Sequence, residues 1–252
     1  MKVLILGGNG MLGPWVVKSL EGRHELRITD INDLDTPHEY VKLDVSSLDG
    51  VVRAAEGMDA IINLSVLRPH RQIAFDVNTR GNYNMAIAAR THGIRRLINT
   101  GPHYQLAGPN YEEFNFDLNP DMPPQPGTRL YAHTKALGQE ILRVFSETDD
   151  IYVQTLLFYN FYDAETLSAP SGGPRLGTDL TPFSVAWTDA GEAIRAALEI
   201  ELADLPTRCE TYNVFTDLPH GKFSNQKARR QLNWQPRHFL EGVWTRPFPP
   251  GE

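Results

Sequence analysis

Apolar positions along this chain come in two alternating kinds of run. Met1–Leu6, Leu26–Thr29, Tyr40–Leu43, Ala60–Val66, Arg96–Thr100 and Tyr152–Phe158 are short and nearly continuous. Runs of this kind, closed by glycine or by a polar residue, predict strands buried on both faces. Between them the apolar residues follow a helical period. Leu12, Val16, Val17 and Leu20 line one face of a segment from Gly10 to Leu20 that Gly22 ends. Ser47 caps a second helix through Val51, Val52 and Ala55, and a longer one spans Gln72–Ala89 before His92-Gly93. A fourth runs over Leu130–Phe145.

Strand alternating with helix predicts an α/β fold, a doubly wound parallel sheet of the Rossmann type. The pattern loosens in two places. Gly101–Gly127 contains six prolines and no clear period, and Ser168–Pro182 is rich in Ser, Gly and Pro. A loop that long inside a compact domain is usually functional. Later elements are a helix near Ala190–Glu199, a strand near Tyr212–Phe215 and a short helix over Phe223–Trp234. The expectation is a single Rossmann-type domain over 1–252, with a core over about 1–165 and a small C-terminal substrate lobe drawn from about 166–252.

Composition narrows the function classes. The formal charge is −7, from 24 basic and 31 acidic residues, and the basic residues are scattered. A nucleic-acid partner needs a cationic stripe, and a membrane surface needs a basic amphipathic segment; neither is expected here. No run approaches the roughly 20 apolar residues of a bilayer span. The apolar start Val3-Leu4-Ile5-Leu6 is too short for a secretory core. A cytoplasmic location is expected, in keeping with Cys209 as the sole cysteine, which reads as a small apolar residue rather than a nucleophile. The histidines show no metal-ligand spacing, so no metal site is expected.

Gly7, Gly10 and Gly13 form G-x-x-G-x-x-G between the first strand and the first helix. The turn, the close approach of a pyrophosphate and the packing of helix on strand each need a residue without a β-carbon. The helix start, with Met11 and Leu12, then offers N–H groups and partial positive charge to phosphates. Asp30, ending the second strand, is placed to accept from the ribose hydroxyls and to repel a 2′-phosphate, so NAD is expected rather than NADP. Arg27 lies on the other parity of that strand and is not expected to hold a phosphate.

Tyr131 and Lys135 stand four apart on a predicted helix and so share one face. With these residues the chain resembles the extended short-chain dehydrogenase/reductase family, which includes the NAD-dependent sugar epimerases and dehydratases. Further matches are Asp44-Val45, Asn63-Leu64-Ser65, Asn78 through Asn84, Asn160, Asp189, Tyr212-Asn213-Val214 and Lys227 through Pro236. The resemblance implies that Asp44 and Val45 flank the adenine, that Leu64, Ser65 and Asn78 also contact the cofactor, and that Ser65 and Asn160 face the substrate. It implies that Tyr131 is the acid/base of a hydride transfer. A free phenol titrates near pH 10, and the Lys135 ammonium with the positive nicotinamide would favour its ionised form. The helices over residues 72–89 and around Tyr131 resemble the family's dimer surface, so a homodimer is expected.

Two departures stand out. Family members carry Ser or Thr just after the fifth strand to hold the reacting oxygen, and ungapped alignment puts Pro102 there. Thr100, two residues early, and His103, one residue late, are the candidate stand-ins; His103 is also a candidate substrate contact. The C-terminal part is short, with about 90 residues after the sixth strand, which favours a small substrate over a nucleotide-linked sugar. That layout is similar to the uronate dehydrogenases, but their carboxylate-binding Arg corresponds to Leu157. The leading expectation is an NAD-dependent dehydrogenase or reductase of a small hydroxyl or carbonyl compound, sugar derivatives included. The alternatives are a nucleotide-sugar epimerase or dehydratase, and a dinucleotide-binding sensor without chemistry.

Overall fold

The computed structural model describes residues 1–67, 71–108, 117–166 and 180–244. Its main sheet has seven parallel strands: β1 (Lys2–Leu6), β2 (Glu25–Asp30), β3 (Glu39–Lys42), β4 (Ala60–Asn63), β5 (Arg96–Pro102), β6 (Tyr152–Phe158) and, far along the chain, β9 (Cys209–Asn213). They lie in the order β3-β2-β1-β4-β5-β6-β9. The direction of winding reverses between β1 and β4, and a doubly wound sheet opens its ligand crevice at such a point, beyond the C-terminal strand ends. Two short strands that the apolar pattern did not reveal, β7 (Asn160–Tyr162) and β8 (Ser184–Ala186), pair in parallel beside it.

Alternate residues of each strand feed opposite faces. Val3 and Ile5 of β1 join Ile62, Ile98 and Leu156 under the helices α1 (Gly13–Leu20) and α6 (Trp187–Glu199). Leu4 and Leu6 join Ile61, Leu97 and Val153 under α2 (Leu48–Ala54), α4 (Gly81–His92) and α5 (Leu130–Thr148). Strands buried on both sides have no polar phase, which is why they read as continuous runs.

The predicted long helix is a rod of three parts: α3 (Arg71–Phe75), a π stretch over Asp76–Arg80, and α4. A π stretch widens the helix by one residue per turn, and such turns concentrate at functional sites. The fourth strand ends at Asn63 rather than Val66, and the helix expected over Phe223–Trp234 is confined to α7 (Gln226–Gln231). At the start of the proline-rich loop β5 runs through Pro102 and a 3₁₀ turn follows over His103–Gln105; residues 109–116 lie outside the described residues. Most of the loop expected at Ser168–Pro182 lies outside the described residues. The end of the described chain is tied down by Asp189 in the first turn of α6, whose buried carboxylate accepts from the N–H groups of Arg237 and His238 at 3.0 Å each.

Among the described residues, no helix is long and apolar enough to cross a membrane. No group of three His, Cys, Asp or Glu among them is placed to hold a metal ion.

Candidate active site

A cavity of about 570 Å³ opens at the switch point, within the usual range for small-molecule sites. Gly7, Gly10, Met11, Leu12 and Leu64 line one end; Thr100, Tyr131, Lys135 and Asn160 line the other. Two motif glycines and the Tyr–Lys pair, far apart in sequence, therefore share one cavity.

The glycine turn is tight for steric reasons. Gly7 has φ +74, and a β-carbon on it would lie 2.8 Å from the backbone and hydroxyl of Ser65. A β-carbon on Gly13 would lie 1.9 Å from the Gly8 carbonyl oxygen, which no side chain could relieve. Within the turn the N–H groups of Gly10 and Gly13 donate to the carbonyls of Gly7 and Gly10. Those of Met11 and Leu12, just before α1, have no partner among the described residues. Unpaired N–H groups at a helix start, without side chains in the way, fit the pyrophosphate of a dinucleotide.

Asp30 stands beside this turn, accepting from Asn9 N (3.1 Å) and Asn32 N (3.0 Å). Each oxygen keeps a lone pair for a ribose hydroxyl. Arg27 is held elsewhere: its guanidinium donates to the Ala54 and Glu56 carbonyls and pairs with Glu39. Asp44 is exposed and bends the chain by accepting from Ser46 N, while buried Val45 is fixed by Asn84, whose amide donates to its carbonyl.

Behind the cavity a buried network joins four elements. Asn63 at the end of β4 donates to Asn82 of α4 (2.9 Å), and Asn82 donates to the Asn78 carbonyl (2.8 Å). The Asn78 side chain accepts from Leu67 N and donates to the Leu67 carbonyl and the Thr134 hydroxyl. Thr134 in turn donates to the Tyr131 carbonyl (3.0 Å). Thr100 donates to the Asn63 carbonyl (3.0 Å), and Lys135 Nζ donates to the carbonyls of Ser65 (2.8 Å) and Thr100 (3.1 Å). The Lys135 ammonium is thus fixed across the ends of β4 and β5 while lining the cavity. Ser65 and Asn78 sit behind that lining rather than in it.

His103 lies apart from the other candidate residues. Its imidazole is fully buried and lies among Tyr159 (4.4 Å between ring centres), Phe183 (4.8 Å) and Phe223 (5.7 Å), off the cavity wall. The 3₁₀ turn after Pro102 points it into the core. Burial pushes its pKa well below the ordinary histidine value, so it is a neutral packing group here. The reading of Cys209 as an inert thiol agrees with its setting, where burial pushes its pKa up to about 11.

Among the wall residues that the sequence reading missed are two tyrosines, Tyr104 and Tyr159. Tyr104 follows Pro102 by two positions, and its hydroxyl deserved consideration beside those of Ser and Thr. Tyr159 has no periodic signature, because it sits in the one-residue gap between β6 and β7.

Comparison with known proteins agrees with this picture. The family model described as "NAD dependent epimerase/dehydratase family" matches residues 3–172. A curated relative, the Bacillus subtilis protein named "Uncharacterized protein YtbQ", is 27% identical over 106 residues, which cover 38% of this chain and only 42% of the relative. Among solved structures, uronate dehydrogenase from Agrobacterium tumefaciens is 20% identical, with 100% of this chain and 92% of that one covered at a TM-score of 0.76. UDP-glucose 4-epimerase from Thermus thermophilus, in complex with NAD, is 21% identical, with 96% of each chain covered at a TM-score of 0.74. At such identities the structural likeness speaks for the fold.

Proposed function

The chain belongs to the NAD dependent epimerase/dehydratase family, and from that premise we propose that it is an NAD-dependent dehydrogenase or reductase of a small hydroxyl- or carbonyl-bearing compound. The observation that carries this reading is the shared cavity, with the glycine turn at one end and Tyr131 and Lys135 at the other. When bound, NAD supplies or accepts the hydride. Gly7, Gly10 and the Met11 and Leu12 N–H groups would hold its pyrophosphate, and Asp30 its adenine ribose. Tyr131 takes the proton from the substrate hydroxyl in oxidation and returns it in reduction. Lys135, fixed by two carbonyls, keeps a positive charge beside that exchange and favours the ionised phenol.

Tyr131→Phe tests this role. The variant should bind NAD as the parent does and lose turnover by about 10²- to 10⁴-fold, measured as NADH formation across an alcohol and sugar panel. Unchanged turnover would remove the proton carrier. Pro102 favours one rival, a protein that binds NAD without chemistry. Calorimetric NAD binding with no turnover on any panel member would select it.

The same reading includes a homodimer. Leu130, Leu137 and Val144 recur at heptad spacing along α5 and are exposed, as are Ile73 and Tyr83 on the neighbouring rod. Apolar stripes on adjacent helices suit a two-fold contact. Sedimentation should give twice the chain mass of 28.3 kDa, and a monomer would contradict it.

A further inference from the structure

The part of the cavity around Tyr131 is walled by rings. Tyr104 packs edge-on against Tyr131, with ring centres 5.9 Å apart and planes at 66°, and against Tyr159, at 5.8 Å and 86°. Phe161 and Pro102 continue that wall. Three of the polar side chains that line it are held by hydrogen bonds. Thr100 donates to the Asn63 carbonyl, Asn160 donates to Thr181 (2.9 Å), and the Lys135 ammonium donates to two strand-end carbonyls.

Among the described lining residues Lys135 is the only cation. Leu157 is wholly buried in β6 opposite Gly101, so that position presents no charge to the cavity. Among the described lining residues a carboxylate or diphosphate would find only the Lys135 ammonium as counter-charge, already shared by two carbonyls, so burying one against these rings is costly. A flat ring suits them, because its edge and faces match aromatic neighbours set at steep angles.

We propose that the cavity takes an uncharged aryl carbinol or aryl ketone, with Tyr104 and Tyr159 selecting the ring and Tyr131 reaching the oxygen on the adjoining carbon. The proposal rests on the dehydrogenase reading above. In oxidation the carbinol C–H bond breaks and its electron pair leaves as hydride to NAD⁺. The O–H proton passes to the Tyr131 phenolate, and the carbon–oxygen bond becomes the ketone. Reduction by NADH runs the same steps backwards.

The test uses the full chain loaded with NAD⁺, a pairing in which a ketone binds without reacting. Calorimetry compares acetophenone, cyclohexyl methyl ketone, glucuronate and UDP-glucose. Acetophenone should bind about 3- to 10-fold more tightly than its saturated counterpart, and both should bind more tightly than the two charged compounds. Tyr159→Leu, at a position 38% exposed and so tolerant of change, should erase the aryl preference, whereas Tyr104→Phe should keep it. Tighter binding of glucuronate or UDP-glucose, equal binding of the two ketones, or no acetophenone binding by a protein that binds NAD⁺ would each overturn the proposal. Failure to bind NAD⁺ at all would instead overturn the dehydrogenase reading, and this inference with it.

Discussion

Two regions around the cavity are held by different forces. Behind it, Asn63, Asn78, Asn82, Thr100, Thr134 and Lys135 are joined by directed hydrogen bonds, most of them deep in the core. Beside it, Tyr104, Tyr159, His103, Phe183 and Phe223 meet as packed rings. A hydrogen bond loses its value steeply with misalignment, whereas rings accept several offsets at similar energy. The first construction fixes one geometry; the second allows a binding wall to be reshaped by substitution.

The comparison yields graded expectations. Gly13→Val should have the largest effect, because the new β-carbon would meet backbone rather than a movable side chain. NAD affinity should fall by at least about 100-fold as the turn is displaced; calorimetry retaining parental affinity would show that the turn can yield. Asn82→Ala leaves Asn63 without its acceptor and the Asn78 carbonyl without its donor, all fully or nearly fully buried. Urea denaturation should show a loss of roughly 2–5 kcal/mol. Phe183→Leu, in the ring cluster, should cost only about 1–2 kcal/mol, since volume is nearly kept and edge-to-face contacts are what is lost. If the order of these two losses were reversed, the contrast between the network and the ring cluster would be wrong.

The remaining expectation concerns acid. Burial lowers the pKa of His220 to about 4, against an opposing pull from Asp217, and lowers that of His103 as well. Both folded values lie below the unfolded value near 6.5, so their contribution is intact above that pH. As pH falls from 6.5 towards 4 the unfolded chain gains protons that the folded chain does not. Stability should drop by about 1.4 kcal/mol per unit over this window on account of His220. His220→Gln should flatten the acid limb of a stability–pH series by about one proton; an unchanged slope would show that His220 titrates normally.

This division also explains what the sequence made legible. Six strands and the helices between them were readable because burial on both faces leaves continuous apolar runs. The glycine turn and the Tyr131–Lys135 spacing were readable because steric and angular demands leave few residue choices at fixed offsets. The ring wall was not. Tyr104 and Tyr159 obey no period, and their contacts come from segments joined only by the sheet. His103 was hard to place for the same reason, since a polar residue near a site reads as a site residue, whereas the 3₁₀ turn buries this one. Strands β7 and β8 escaped notice because each is only three residues long.

The π stretch over Asp76–Arg80 amounts to a one-residue insertion in an otherwise ordinary rod. Deleting a residue there would restore regular winding but swing the preceding turns by about 100° relative to those that follow. Asn78, inside the stretch, grips Leu67, and Asn82, just after it, grips Asn63; the straightened rod would keep only one of these holds. In a lineage of such chains, length within this segment is therefore less free to drift than the identity of the residues on its outer surface.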